Sequence, residues 1–269
     1  MTINIGFIGA GAMGESFVSG LLRTEEYSPQ TVHAYDINEK KLRHLEVKYG
    51  IKTYTDVRMM VQNCDVIVFA VKPQNIREVL SSLKDDFTEK HLIISIVAGF
   101  AIESIYKYVS EKVSVIRAMP NTPCLIRKGV TCMAFSENVN EAQRDIALNI
   151  MGSVGHVHIV QEKLLNAVTG LSGSGPAYIF LVIEALCDAG VRAGIPRDIA
   201  MDLSLQTMIG SATMADITKT HPAILKDQVV TPDGTTIAAL HVLERAGVRV
   251  AFMDAVIAAT ERSRELGLD

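Results

Sequence analysis

Short apolar runs rich in Val and Ile alternate with amphipathic stretches over the first 160 residues. INIGFIG, TVHAY, CDVIVFAV, HLIISIV and VSVIRAM read as five strands, because each is brief, β-branched and bounded by polar or turn residues. FVSGLLR, NEKKLRHLEVKY, QNIREVLSSLKD and IESIYKYV carry the helical period between or after them. GVTCMAF and HVHIV add two strands, with a charged helix from Glu141 to Met151 between them. Strand–helix alternation of this kind predicts an α/β protein with a doubly wound, mostly parallel sheet.

Beyond Gln161 the strand signals stop. EKLLNAVTGL, PAYIFLVIEALCDAGVRA, RDIAMDLSLQTMIGSATMA, TTIAALHVLERAG and RVAFMDAVIAATERSRELG all read as helices, punctuated by turns at Gly194-Ile195-Pro196 and His221-Pro222. The expected organisation is therefore a sheet domain, 1–160, and an all-helical domain, 161–269. PAYIFLVIEALCDAG is apolar nearly all round, so it needs cover on several sides. Either it forms an intersubunit helix–helix core, or it is the central helix of a monomeric bundle.

Composition narrows the function. A length of 269 residues suits two domains, and a net charge of −4 offers no global field for nucleic acid or acidic lipid. Cys64, Cys124, Cys132 and Cys187 are scattered without zinc spacing and read as reduced, mostly buried thiols of an intracellular protein. The start MTINIGFIGA lacks a basic signal segment, and apolar runs such as LIISIVAGFAI are too short to span a bilayer. A soluble, cytoplasmic protein without nucleic-acid or membrane partners is expected. His156 and His158 share one strand face without Cys or acidic neighbours, so they read as a solvated face and no metal site is assigned.

Gly9-Ala10-Gly11-Ala12-Met13-Gly14 is a G-x-G-x-x-G run between a strand and a helix. Gly9 permits the tight turn, Gly11 the approach of a pyrophosphate, and Gly14 close packing of helix on strand. Free N–H groups at the helix start, including those of Ala12 and Met13, would hold the phosphates. Asp36 closes the second strand at about the twenty-residue spacing of a ribose-binding carboxylate, which tilts the cofactor choice from NADPH toward NADH. Asn38, Lys40 and Lys41 follow and could serve a phosphate, and Asp36 also suits the cap region of the next helix. Val71-Lys72-Pro73 and Val97-Ala98-Gly99 close two further strands at the crevice where a ligand would lie, although Lys72 equally suits a plain surface lysine. In LSGSGP, Ser172 and Ser174 either cap the following helix or leave room for a flat ring.

GFIGAGAMG, AVKP, RAMPNTP, GLSGSGPAYIF, LKDQVVTPDGTTIAALHVLERAG and FMDAVIAATERSRELG occur in this order. Together they resemble the pyrroline-5-carboxylate reductase family from end to end. The resemblance implies a Rossmann domain followed by a helical dimerisation domain. The implied reaction is NADPH- or NADH-dependent reduction of the C=N bond of 1-pyrroline-5-carboxylate to proline, the last step of proline biosynthesis. It implies helical domains interlaced between two subunits, often within a ring of dimers. Carried over residue by residue, Thr236 matches the hydroxyl that bonds the ring nitrogen. Thr231, Gly234 and Thr235 match the loop holding the substrate carboxylate. Lys72, Pro73, Val97, Ala98, Gly99 and Asn121 match cofactor or crevice positions. The family usually reads S-P-G-G-T-T where this chain has Thr231-Pro232-Asp233-Gly234-Thr235-Thr236, so Asp233 sets a charge beside an anion site unless it turns to solvent or caps the helix.

Two other readings stay open. One is a 3-hydroxyacid dehydrogenase of the phosphogluconate dehydrogenase type, though Lys163 and Asn166 lack the i, i+4 spacing it needs. The other is a nucleotide-sensing paralogue that does not turn over.

Overall fold

All seven apolar runs form strands, and alternate side chains along them enter two separate cores. The computed structural model describes residues 3–268. Met1, Thr2 and Asp269, placed in the first and last domains above, lie outside the described residues, as does the side chain of Leu268. The chain runs β1 (Ile5–Ile8), α1 (Ala12–Leu21), β2 (Val32–Tyr35), α2 (Glu39–Tyr49), β3 (Lys52–Tyr54) and α3 (Val57–Gln62). It continues through β4 (Val66–Phe69), α4 (Ile76–Ser82), β5 (Leu92–Ser95), α5 (Ile102–Tyr106) and β6 (Ser114–Met119). Then come β7 (Gly129–Phe135), α6 (Glu141–Gly152) and β8 (Gly155–Ile159). β3 and α3 are additions to the sequence reading, with three and six residues being too short to show a period.

The sheet order is β3-β2-β1-β4-β5-β6-β7-β8. β1 to β6 are mutually parallel, in register at Ile5↔Val32 and Ile5↔Val66. β7 runs antiparallel to β6, with Ile116 opposite Phe135, and β8 follows β7 in parallel. Strand order reverses between β1 and β4, which makes that crevice the switch point of the sheet.

One face buries Ile5, Phe7, Val66, Val68 and Ile94 against Phe17, Leu21, Leu42, Leu45 and Ile150 of α1, α2 and α6. The other buries Ile8, Ile67, Phe69 and Ile93 against Met60, Ile76, Leu80 and Ile105 of α3, α4 and α5. Each such side chain contributes about 1.5–3 kcal/mol by leaving water. Period-2 alternation inside an apolar run thus serves both faces, as a parallel sheet covered on two sides requires. All four cysteines are buried and free, and burial pushes the Cys64 thiol up to about 12.

After a 3-10 turn at Glu162–Leu164 come α7 (Leu165–Val168) and a π-helical turn, Thr169–Gly173. Leu165 is fully buried with Cys132 and Ala134 of β7. Sequence character changes near residue 160, but the compact unit runs on to Ser174 and takes in Ile257–Asp269, leaving Gly175–Val256 as the second unit. The reason is Leu165, which anchors the first helical turns to the sheet.

The second unit contains α8 (Gly175–Arg192), α9 (Arg197–Thr218), α10 (Pro222–Gln228), α11 (Thr235–Arg245) and the first part of α12 (Val248–Leu268). α10 follows directly on the His221-Pro222 turn. Cys187 is the buried residue of α8, whereas Phe180 and Leu181 are 64% and 65% exposed. That overturns the bundle-centre alternative, because a bundle centre would cover those side chains. The helical run Glu162–Arg192, with an 18-residue window of mean hydropathy 1.4, is also long and apolar enough by length and composition to cross a membrane. Uninterrupted apolar runs, the basis of the earlier expectation, do not reveal it because Ser and Gly break them. His156 and His158 are exposed on β8.

Candidate active site

The turn after β1 is held from two sides. Gly9 sits at φ 112°, a backbone region that side chains disfavour, and a Cβ there would lie 2.5 Å from the Ala70 carbonyl oxygen. Its N–H donates to the Tyr35 carbonyl oxygen at 2.8 Å, and the next N–H, of Ala10, donates to Asp36 Oδ2 at 2.8 Å. A Cβ on Gly14 would overlap the Gly9 carbonyl oxygen, so α1 rests directly on the turn. Gly11 differs: a Cβ there would meet nothing within 4 Å. Gly11 is the N-cap of α1 and offers no side-chain cap, and the first helical bond runs from Glu15 N–H to the Gly11 carbonyl. The N–H groups of Ala12, Met13 and Gly14 are therefore the orphan donors of a helix start that opens onto free space, which suits an anion.

Asp36 carries more local duty than the sequence suggests. Its side chain is only 10% exposed; Oδ1 accepts from Asn38 N–H at 2.8 Å, and Lys41 Nζ lies 3.6 Å from Oδ2. The N-cap of α2 is Asn38, whose side chain accepts from Lys40 N–H, so Asp36 braces the glycine turn instead of capping. Glu15 links α1 to α2 through Lys48, His44 and Tyr49. Burial alone would raise its pKa, but those three hydrogen bonds hold it below the usual carboxylate range.

Three further segments reach the carboxyl ends of neighbouring strands. Val71 is half-buried, and Lys72 and Pro73 are exposed at the start of a 3-10 turn after β4. After β5, Val97 and Gly99 are buried and Ala98 half-buried. Gly99, at φ 75°, lies against the Ser263 carbonyl, Leu266 and Gly267 of α12. Asn121, after β6, accepts from Val130 N–H at 3.0 Å and so braces the start of β7. In the small-residue turn, Ser172 Oγ donates to the Val168 carbonyl oxygen and Ser174 N–H to that of Thr169. A Cβ on Gly173 would press on Met119 Cε. All of these lie in the first compact unit, while Thr231, Gly234, Thr235 and Thr236 lie in the second.

In that second unit, Gly234 N–H donates to the Thr231 carbonyl oxygen at 3.1 Å, closing a turn with Pro232 and Asp233 at its centre. Asp233 sits at φ 57° and is exposed. Pro then a left-handed residue is the pattern of a type II turn, whose third position favours Gly. The N-cap of α11 is Gly234, without a side-chain cap bond, so neither Asp233 nor Thr235 caps the helix. The first N–H groups of α11 are left to a ligand or water. Replacing Asp233→Gly should relieve backbone strain and raise stability by about 1 kcal/mol, read as an upward shift in Tm; an unchanged or lower Tm would show that the turn costs nothing.

The sequence reading did not pick out one buried cluster. Arg117, in the middle of β6, is 5% exposed. Its Nη2 donates to Asn166 Oδ1 at 3.0 Å and its Nη1 to Glu162 Oε1 at 3.4 Å. Burial pushes the guanidinium pKa down, against the opposing pull of Glu162. Glu162 Oε1 also accepts from Ile102 N–H at 2.8 Å, and Asn166 Oδ1 from Ser263 Oγ at 3.1 Å. The available signal was an arginine inside the apolar run VSVIRAM.

A glycine cradle at the switch point of a parallel sheet, joined to a helical unit, defines a dinucleotide-dependent oxidoreductase. The comparisons with known proteins make this specific. Residues 162–266 match the pyrroline-5-carboxylate reductase dimerisation family, and residues 4–99 match the coenzyme F420-dependent NADP oxidoreductases. The pyrroline-5-carboxylate reductase of Methanosarcina acetivorans is 44% identical over 98% of this chain and 97% of its own. That of Synechocystis is 42% identical over 99% of both. The pyrroline-5-carboxylate reductase structure from Coxiella burnetii superposes with a TM-score of 0.91 at 39% identity over 99% of both chains. The Plasmodium falciparum pyrroline carboxylate reductase, solved with NADP bound, gives 0.90 at 33% identity over 98% of both. The chain belongs to the pyrroline-5-carboxylate reductase family.

Proposed function

We propose that the chain reduces the C=N bond of 1-pyrroline-5-carboxylate with NADH or NADPH, giving proline in the last step of proline biosynthesis. The observation that carries the substrate assignment is the uncapped start of α11, with Thr236 in its first turn. Backbone N–H groups there hold the substrate carboxylate, with Thr231, Gly234 and Thr235 shaping the seat. The Thr236 hydroxyl hydrogen-bonds the ring nitrogen, donating to the neutral imine and accepting from its protonated N–H, and so relays its proton. Ser172 and Ser174 line the ring, since Ser172 Oγ still accepts while it donates to Val168.

The open side of Gly11 and the uncapped α1 start fit a dinucleotide pyrophosphate. Gly9, Gly11, Ala12, Met13 and Gly14 hold it there. Val71, Lys72, Pro73, Val97, Ala98, Gly99 and Asn121 border the nicotinamide half. When bound, the reduced nicotinamide supplies the hydride for the imine carbon. A protonated imine accepts hydride readily, so the chain's work is placement and exclusion of water. Asp36 keeps acceptor capacity for ribose hydroxyls after its two backbone bonds, because a carboxylate has about four lone-pair sites. Its charge favours NADH, and Lys41 at 3.6 Å moderates that preference.

Self-association covers α8 to α11. The family match over 162–266 coincides with the exposed Phe180 and Leu181, and with the apolar run Glu162–Arg192. This supports an interlaced dimer, and the family resemblance extends the proposal to a ring of dimers in a soluble cytoplasmic enzyme. The hydroxyacid dehydrogenase reading loses support because Asn166 Oδ1 is engaged by Arg117 and Ser263 while Lys163 is exposed.

The test is oxidation of NADH and NADPH by the purified protein with 1-pyrroline-5-carboxylate, set against a hydroxyacid panel run in reverse. Turnover with the imine, and a higher kcat/KM for NADH that Asp36→Ser diminishes, is the expected result. Cofactor binding without imine turnover would favour the sensing paralogue, and a strong NADPH preference would reverse the role given to Asp36.

A further inference from the structure

A buried arginine in a central strand needs partners, because an unpaired guanidinium in an apolar sheet is strongly unfavourable. Arg117 finds two, and each has a second attachment. Glu162 Oε1 takes the N–H of Ile102, three residues beyond Gly99. Asn166 Oδ1 takes the hydroxyl of Ser263, in the turn of α12 on which Gly99 rests. The approach there is close from both sides: a Cβ on Gly267 would overlap the Gly99 carbonyl oxygen. Asn166 lies in α7, which runs on into the Ser172–Ser174 turn, and Gly173 of that turn abuts Met119, two residues along β6 from Arg117.

Thus the C-terminal end of the Val97–Gly99 loop, tied at Gly99 and again at Ile102, and the run leading to the small-residue turn converge on one planar group. We propose that Arg117 is a positioning residue that fixes the spacing between the Val97–Gly99 loop and the Ser172–Ser174 turn, and so the seat of the nicotinamide ring. The proposal rests on the reading of those segments as the nicotinamide side of the site. Arginine suits the task because its rigid fork reaches two acceptors in a fixed relation, which a lysine ammonium on a flexible stem does not. Adenosine-side contacts at Gly9–Gly14 and Asp36 share no hydrogen bond with this cluster.

The experiment separates the two halves of the cofactor. ADP-ribose carries the adenosine and pyrophosphate without the nicotinamide, so its Kd reports the glycine cradle alone. Arg117→Lys is expected to leave the ADP-ribose Kd within about twofold while weakening NADH about tenfold. Asn166→Ala, which keeps the Arg117–Glu162 pair, should shift the same ratio in the same direction, and it carries the test if Arg117→Lys does not fold. Parallel weakening of both ligands would mean general loosening of the unit and overturn the proposal. So would unchanged affinity for both, which would leave Arg117 a brace of the fold only. Wild-type protein that binds NADH no more tightly than ADP-ribose overturns it as well. These binding ratios require no imine turnover, so failure of the substrate assignment is read separately, in the reductase assay.

Discussion

Gly14→Ala is expected to weaken NADH binding about a hundredfold and to lower Tm, with the sheet still assembled. The added Cβ would overlap the Gly9 carbonyl oxygen and come within 3.6 Å of the Ala70 side chain. Backbone cannot fold aside as a flexible side chain can, so α1 must back away from β1. The N–H groups of Ala12 and Met13 move with it, and a shift of about 1 Å is enough for a loss of this size. Gly11→Ala separates the causes. Beyond its chain neighbours, its Cβ meets no atom of the described residues within 4 Å, so Tm should hold while NADH affinity falls, because the methyl enters the space proposed for the ligand. Thermal melts and NADH titrations on both variants check this. If Gly14→Ala bound NADH as wild type does, the cradle would not be where the pyrophosphate sits.

Thr236→Val should keep the fold and lower turnover about tenfold or more, as for loss of a positioned proton donor. Valine has nearly the same shape and is equally β-branched, so the helix start is not disturbed on steric grounds. The N-cap of α11 is Gly234 and makes no side-chain cap bond, so the Thr236 hydroxyl is not needed to start the helix. A drop in kcat at saturating imine with Tm unchanged is the expected outcome. Thr235→Val, at the exposed neighbouring position of the carboxylate seat, should raise KM for the imine while leaving kcat at saturation close to wild type. Wild-type turnover in the Thr236 variant would remove its hydroxyl from the mechanism.

The centre of the sheet was legible because strands such as β4 and β5 are buried on both faces and show as apolar runs, VIVF and LIIS. β3 was not, since only Tyr54 of its three residues is buried. The glycine cradle was legible through local spacing alone. Asp233 was half legible: the sequence marks it as a departure, but its φ of 57° and solvent exposure come only from the folded turn. Asp36 stood out as a candidate, while its bond to Ala10 N–H depends on strand pairing that no spacing rule encodes. Arg117 was legible as an oddity in an apolar strand. Its partners Glu162 and Asn166 lie 45 and 49 residues away, and the next link, Ser263 to Asn166, spans 97. Contacts that long are fixed by packing and leave no periodic trace.

The three glycines of the cradle answer to different masters over evolutionary time. Gly9 and Gly14 are held by the chain's own backbone, so a descendant that abandoned its cofactor would still lose stability without them. Gly11 borders open space, and on the proposed reading only a ligand forbids a side chain there. Drift should therefore begin at Gly11 in any lineage that ceases to bind a dinucleotide. A glycine still standing at that position is a record of selection by the ligand, whereas its two neighbours would be kept by the fold even after the ligand was gone.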